Sequence, residues 1–343
     1  MKTLPLVSIV IPAYNRADTL QETLDSCLSQ TYGNCEIIVI NDGSVDKTPD
    51  IVLSYGERIS LLNQPNGGLA SARNAGHKLA KGKYIAWMDA DDIAMPERVA
   101  LQVAVLEAFP EVGLVSSDFS AFFCGAEDFD PSHAVNYYKA LNAVGGPCGV
   151  YAHKFPLELN PDGDDRSVGV WFGNVFVNLL SGNVVHPPTV MLRKSVIDQI
   201  GECHCRLLSS SDYDYILRVA RTNELAFIDR PLLRYRCGDH QMSNSINGGE
   251  MPREFRQILE NWKKLEPELI AENSRRYSIA IAESFVWEAQ HFARLDRRRS
   301  LALVGRSLSN AVLFKDVLRT LAMNFFPRSV LSIVGRYLLG ARP

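Results

Sequence analysis

Apolar positions in the first third of the chain alternate between two rhythms. "LVSIVIP" (6–12) and "CEIIVIND" (35–42) are continuous β-branched runs, as expected of strands buried on both faces. Between them, "DTLQETLDSCLSQTYG" (18–33) sets Leu20, Leu24, Cys27 and Leu28 on one helical face, with Asp18 and Gln21 at the spacing of a capping box. A second helix is predicted in "GSVDKTPDIVLSYG" (43–56) and a weaker third strand in "RISLLNQ" (58–64). A third helix follows in "GGLASARNAGHKLAKG" (67–82), ended by Gly82, and a fourth strand in "KYIAWMDADD" (83–92). This βαβα alternation predicts a mainly parallel sheet covered by helices, with ligands bound beyond the carboxyl ends of the strands.

Residues 118–185 break the rhythm. They are rich in Gly, Pro, Asp and aromatics, a composition that predicts long loops around a variable pocket rather than a regular core. Order returns at "HPPTVMLRKSVIDQIG" (186–201), the helix "SDYDYILRVAR" (211–221) and "LAFIDRPLLRYRCGDH" (225–240); from about Pro252 the pattern is helical. The expected division is 1–118, 119–250 and a helical extension, 251–343.

Composition adds exclusions. The chain of 343 residues is 46% hydrophobic and 22% charged, with a net charge of −3, which gives nucleic acid no basic footprint. The apolar run near the start stops at Pro12, and no uncharged stretch reaches the length of a membrane span, so the expected location is the cytoplasm. Seven cysteines without regular spacing read as reduced thiols, and "CHC" at 203–205 lacks the second ligand pair of a zinc site.

The chemistry collects at the predicted strand ends. Asp89 and Asp91, with Ala90 between, follow a buried strand, and hard divalent cations such as magnesium or manganese prefer such carboxylates. The plain alternative is a solvated turn in which Asp92 caps the next helix. Asp42 ends the second strand and can accept hydrogen bonds from a base or ribose, or simply make an Asp-Gly turn. Arg73 could reach a diphosphate, pair with a strand-end aspartate, or be a surface arginine. A dinucleotide fingerprint is missing, because "PAYNRADT" after the first strand has no glycine.

Taken together, "VSIVIPAYN" (7–15), "IIVINDGSVDKT" (37–48), "NGGLASARNAG" (66–76) and "YIAWMDADD" (84–92) resemble the family 2 glycosyltransferases. The resemblance is close over the first 118 or so residues and looser to about residue 245. It implies the glycosyltransferase-A fold, an α/β architecture with a Rossmann-like mixed, mainly parallel sheet, here with a C-terminal helical extension. It also implies a nucleotide-diphospho-sugar donor, most often a UDP-sugar, a Mn²⁺ or Mg²⁺ cofactor and inverting transfer to a glycan or lipid-linked acceptor in surface polysaccharide synthesis. Pro12, Ala13, Tyr14 and Asn15 would line the nucleotide, Asp42 the base and Arg73 the nucleotide side; Asp89, Ala90 and Asp91 would meet ribose, metal and diphosphate.

The family's catalytic base falls on Asp212, although its usual preceding glutamate is Ser211 here. Helix capping is the plain alternative for Asp212, with Asp214 next in line as base. His186 either borders the acceptor pocket or is a turn residue. The histidine that family members carry two residues after "YR" is Gly238 here, with His240 two further on. The rival activities are a sugar-nucleotide nucleotidyltransferase, whose Gly-rich basic loop is missing after strand one, and an inactive sugar-nucleotide-binding protein, against which all three aspartates argue. Basic residues alternating with short apolar runs in the tail from Arg294 suit either peripheral attachment to an anionic membrane or packing on the catalytic core, and a homodimer is left open.

Overall fold

The computed structural model describes residues 3–158, 167–238, 249–293, 295–310, 317, 320, 321 and 324. His240 and most of the basic tail, with its expected membrane or packing role, lie outside the described residues. The chain forms two compact units, Met1–Gly238 and Asp239–Pro343.

The first unit is built on one sheet. Its strands are β1 (Val7–Ala13), β2 (Cys35–Asn41), β3 (Ser60–Asn63), β4 (Tyr84–Trp87), β5 (Ile93–Ala94), β6 (Val112–Phe123), β7 (Asp128–Asp130), β8 (His153–Glu158), β9 (Ser167–Gly173), β10 (Met191–Arg193) and β11 (Glu224–Cys237). They run in the order β3-β2-β1-β4-β10-β6-β11-β9-β8, with β5 paired to β11 and β7 to β6. The half from β3 to β4 is parallel. Beyond it, β10 is antiparallel to both neighbours, and β11 runs parallel to β6. All seven residues of β1 are buried, as a strand covered on both faces requires.

Helices α1 (Leu20–Leu28), α2 (Thr48–Leu53) and α3 (Leu69–Leu79) connect the parallel strands, and α4 (Arg98–Ala108) follows β5. Gly76 lets α3 lie directly on β1: a Cβ there would stand 2.2 Å from Val10 Cγ1. Three local expectations change. The N-cap of α1 is Thr19, so Asp18 and Gln21 form no capping box. The second helix starts only at Thr48, because the residues before it are spent bonding the loop after β1. The third ends at Leu79, with Ala80 as its C-cap, before Gly82 is reached.

The stretch expected as loops is largely ordered. It contains the outer half of β6, then β7, α5 (Ala134–Tyr137), α6 (Lys139–Ala143), β8, β9 and α7 (Phe176–Leu179). The strands β8 and β9 are specified by pairing, β9 to β11 and β8 to β9, rather than by a hydrophobic run of their own. Next come α8 (Lys194–Ile200) and α9 (Ser211–Thr222).

The second unit comprises α10 (Glu250–Leu265), α11 (Pro267–Glu272), α12 (Ser274–Phe292) and α13 (Arg297–Asn310). Val286 and Ala289 of α12 pack with Leu303, Val304 and Val317. No described helix is long and apolar enough to cross a membrane.

One buried carboxylate organises this unit. Glu288 accepts from Arg253 at 3.0 Å and Arg299 at 3.1 Å, and pairs closely with Arg256. Burial works against its ionisation, but the bond and charge of Arg256, with Arg299 and Arg253, prevail and hold it below its ordinary 4.5. A depressed folded-state pKa gives stability that is full above the unfolded value and is lost as pH falls. Glu288→Gln, which leaves three guanidinium groups without their counter-charge, should cost about 3–5 kcal/mol at pH 7. Urea unfolding of wild type and variant should show that gap at pH 7 and its narrowing below the ordinary carboxylate value; a gap constant down to pH 3 would refute the assignment.

Candidate active site

The loops leaving β1, β2 and β4 meet at one end of the parallel half-sheet. Pro12 and Ala13 are buried in the last turn of β1, while Tyr14 is 46% exposed at its tip. Asn15 takes a left-handed conformation, φ 51°, which asparagine tolerates better than most residues. Its N–H donates to Ser44 Oγ at 2.9 Å, and its side-chain oxygen accepts the Val45 N–H at 2.9 Å. Arg16 N–H donates to Thr48 Oγ1 at 2.8 Å and Ala17 N–H to Asp46 at 3.0 Å. The first two loops are thus bound to each other, backbone to side chain, and present one surface.

Asp42 is buried behind that surface. It accepts from the backbone N–H groups of Gly67 (2.9 Å) and Gly68 (2.8 Å) and from Gln64 Nε2 (2.7 Å). A carboxylate has about four lone-pair sites, so these three bonds leave roughly one for a ligand. Asp42 therefore shapes the Asn66-Gly67-Gly68 turn that launches α3. Gly68, at φ +82°, needs the conformational freedom of glycine there.

Asp89 and Asp91 follow β4, and each faces an arginine. Arg73 Nη2 lies 3.3 Å from Asp89 Oδ1, and Arg16 Nε lies 3.4 Å from Asp91 Oδ2. Arg73 is not a surface residue: its side chain is 1% exposed, with the guanidinium 4.5 Å from the centre of the Trp87 ring. Trp87 is fixed in turn by donating Nε1–H to His77 Nε2 at 2.9 Å. That bond suits a neutral imidazole, and burial first, then the Arg73 charge, push His77 down to about 3. Asp91 is raised by burial and by Asp89, with Arg16 opposing.

The donor set fits a hard cation. Mg²⁺ commonly takes one or two protein carboxylates and fills its other positions with phosphate and water oxygens. No group of three His, Cys, Asp or Glu side chains gathers at metal-binding distance among the described residues. A cation at Asp89 and Asp91 would accordingly depend on oxygens that arrive with a ligand.

The backbone of this loop is held independently of the Asp89 and Asp91 carboxylates. Thr19 and Thr23 of the α1 region donate to the carbonyls of Ala90 (3.0 Å) and Asp92 (2.8 Å). From β11, Arg236 Nε donates to Asp91 O at 2.7 Å, its backbone N–H donates to Asp92 Oδ1 at 2.9 Å, and Nη2 reaches Glu22 at 2.6 Å. Asp92 is therefore not a helix cap: it is buried, six residues before α4, and ties the loop to β11. Burial, then Asp91 and Asp89, raise its pKa well above the ordinary carboxylate value, which favours a protonated side chain.

Asp212 occupies the second helical position of α9, after the N-cap Ser210, so it is not the cap. Its side chain is half-buried and accepts the Tyr213 N–H at 2.7 Å. Burial raises its pKa above 3.8; Arg73 opposes and Asp89 reinforces the rise. Asp214 is already engaged, by Arg218 Nε at 3.0 Å and His204 Nδ1 at 3.0 Å. His186 is buried, stacked on Phe119 with ring centres 3.9 Å apart, and bonded through Nδ1 to Tyr138 OH at 2.9 Å. Cys203 and Cys205 meet Asn74: Cys203 N–H donates to Asn74 Oδ1, and Asn74 Nδ2 donates to Cys203 O.

Arg16, Arg236, Trp87 and Tyr138 escape a sequence reading as site components. Arg16 adjoins the quoted motif and had a signal in its place after "PAYN". Arg236 and Tyr138 had none, because only the fold brings β11 and the segment before α6 to this end of the sheet.

Comparison with known proteins accords with this geometry. The sequence profile of glycosyl transferase family 2 matches residues 8–156. An uncharacterised glycosyltransferase of Rickettsia typhi is 33% identical over 243 residues, 70% of this chain and 67% of the relative. Another relative, from Rickettsia felis, is longer, and the match spans only 36% of it. The chondroitin synthase of Pasteurella multocida is 46% identical over 101 residues, 29% of this chain and 10% of that protein. Among solved structures, S. aureus TarS 1–349 superposes with a TM-score of 0.60 at 14% identity, over 98% of this chain and 92% of that one. The same TarS fragment has been solved with UDP-GlcNAc. A mannosyltransferase of Pyrobaculum calidifontis, in complex with GDP-Man and Mn²⁺, superposes at 0.51 with 17% identity, over 99% and 89% of the two chains. The profile, the Rickettsia relative and the shared glycosyltransferase-A fold lead to one conclusion: this chain belongs to the family 2 glycosyltransferases and is an enzyme of that family.

Proposed function

We propose that the enzyme transfers a sugar, with inversion, from a UDP-sugar to a hydroxyl of a glycan or lipid-linked acceptor in surface polysaccharide synthesis. The observation that carries this reading is the pair Asp89 and Asp91 at the end of β4, each facing an arginine. In this reading residues 1–118 handle the donor and 119–250 the acceptor. Tyr14 and its neighbours Pro12, Ala13 and Asn15 receive the nucleotide, and Asp42 offers its remaining lone pair to the base. Arg73 holds Asp89 in position from its stack on Trp87.

Asp212 takes the proton of the acceptor hydroxyl as that oxygen attacks the anomeric carbon. The bond from the anomeric carbon to the diphosphate oxygen breaks on the opposite side, and its electron pair leaves with UDP. When bound by Asp89 and Asp91, Mn²⁺ or Mg²⁺ supplies charge neutralisation for the leaving diphosphate. Tyr138, whose hydroxyl bonds to His186 at 2.9 Å, is placed on the acceptor side in this reading.

Thermal denaturation tests the donor half directly. A ligand at about 100 times its Kd adds roughly 2.7 kcal/mol to the native state. UDP with MnCl₂ should raise the Tm clearly, and UDP with EDTA should raise it less. No rise with UDP, together with a clear rise with GDP, would replace the proposed nucleotide; no rise with either would end the donor reading.

A further inference from the structure

An aromatic track leads away from the strand-end loop that carries Asp91. Its inner end is Tyr138, whose hydroxyl bonds to His186 Nδ1 at 2.9 Å. His186 Nε2 is buried with no hydrogen-bond partner among the described residues. The neighbouring Tyr235 ring, 4.8 Å from His186, sits one residue before Arg236, the side chain that holds the Asp91 carbonyl. Tyr137 faces it, with the two hydroxyls 3.4 Å apart. From there the rings continue outward through His133, 5.7 Å from Tyr137, to Phe129, 5.8 Å further.

The track ends in solvent. Phe129 and Phe123 stack with centres 4.8 Å apart, yet are 51% and 53% exposed. Two open phenyl rings side by side form an apolar patch that a monomer has no folding reason to display. The alternation along β6 explains their reach: Phe119, Ala121 and Phe123 share one face of the strand, from the buried centre to the exposed tip.

We propose that this track is the acceptor subsite and that it binds pyranose rings of a glycan at least two or three sugars long. The proposal rests on Asp212 marking the acceptor side of the reaction. A pyranose presents a face of C–H groups and an equatorial rim of hydroxyls, so it suits ring faces bordered by polar groups. That is the composition found here. Asp130 accepts from His133 Nδ1 and Asn136 Nδ2, each at 2.7 Å, and Asp128 pairs with Arg234 at 2.7 Å. Asp130, bonded to His133 and Asn136 and not to a lysine or arginine, opposes an anionic lipid head group as occupant. The sugar nearest Asp212 offers the attacking hydroxyl, and those behind it stack outward toward Phe129 and Phe123.

Saturation-transfer NMR on the full chain, with UDP and MgCl₂ present, tests this with cellotriose, chitotriose and maltotriose as probes. At least one trisaccharide should bind, with the strongest saturation on ring C–H protons. Phe129→Ala should weaken it about three- to tenfold, the range expected for one aromatic contact. Phe129→Leu, which keeps an apolar side chain but no ring face, should not rescue binding, whereas a merely structural role would be rescued. The UDP-induced rise in Tm should be the same in all three proteins. The subsite is overturned if no trisaccharide binds, if Phe129→Ala binds as well as wild type, or if geranyl phosphate binds and the sugars do not. A wild-type protein that binds a trisaccharide but not UDP would leave the subsite standing and defeat the donor reading instead.

Discussion

Asp212→Asn should turn over about 10²–10⁴ times more slowly than wild type, the usual contribution of a general base, with UDP affinity unchanged. Asparagine is nearly the same size and can still accept the Tyr213 N–H that Asp212 accepts at 2.7 Å, so the start of α9 should survive. What it lacks is a basic oxygen. The pH profile supplies a second reading. A base must be ionised, so activity rises with pH through the pKa of Asp212. That pKa lies above 3.8 because of burial, with Asp89 adding to the rise and Arg73 opposing it. The acid limb of kcat/KM in wild type should therefore have its midpoint above 3.8 and should disappear in the variant. Asp214→Asn is the control. Its carboxylate is engaged by Arg218 and His204, so its loss should lower stability while turnover per folded molecule stays near wild type. Near-normal turnover by Asp212→Asn would refute the assignment.

The cluster at the strand ends was legible because its elements are local. A β-branched run, a turn and a polar strand end lie within ten residues of each other, so Tyr14, Asp42 and Asp89 could be placed at strand termini from periodicity alone. Their supports were not legible, because they come from afar. Arg236 reaches the Asp91 carbonyl across 145 positions, and Asp92 looked like a cap until its partner on β11 was seen. The same applies to residues 118–185. Their Gly, Pro and Asp content reads as loop, yet β8 and β9 are strands because β11 offers them an edge to pair with. Propensity is a weak prior in a strand, and long-range pairing overrode it here. Asp212 is the candidate base through family likeness, with Asp214 next in line, and the ion pairs on Asp214 add a structural difference between them.

Asp91→Ala should abolish metal-supported transfer while leaving the fold intact, and the structure gives a reason for each half. The loop's shape does not depend on this side chain. Its backbone is held through the carbonyls of Ala90, Asp91 and Asp92, by Thr19, Arg236 and Thr23, and all three bonds persist in the variant. The unfolding midpoint should thus move little, helped by relief of the repulsion with Asp89 that contributes to the raised pKa of Asp91. The activity should fall steeply. Lewis-acid neutralisation of a leaving oxyanion is worth several kcal/mol, and each 1.36 kcal/mol is about tenfold in rate, so a loss of roughly 10²–10⁴-fold is expected. Binding gives the independent check. Mn²⁺ titrated by electron paramagnetic resonance in the presence of UDP should bind wild type and fail to bind Asp91→Ala at the same concentrations. Arg16, freed from its 3.4 Å contact with Asp91, can donate hydrogen bonds to a diphosphate but, as a cation, binds no Mn²⁺, so the resonance titration reads the metal site alone. Wild-type transfer that continues at full rate in EDTA would end the metal-dependent mechanism, and the pairing of each aspartate with an arginine would then be the whole of the charge balance at this strand end.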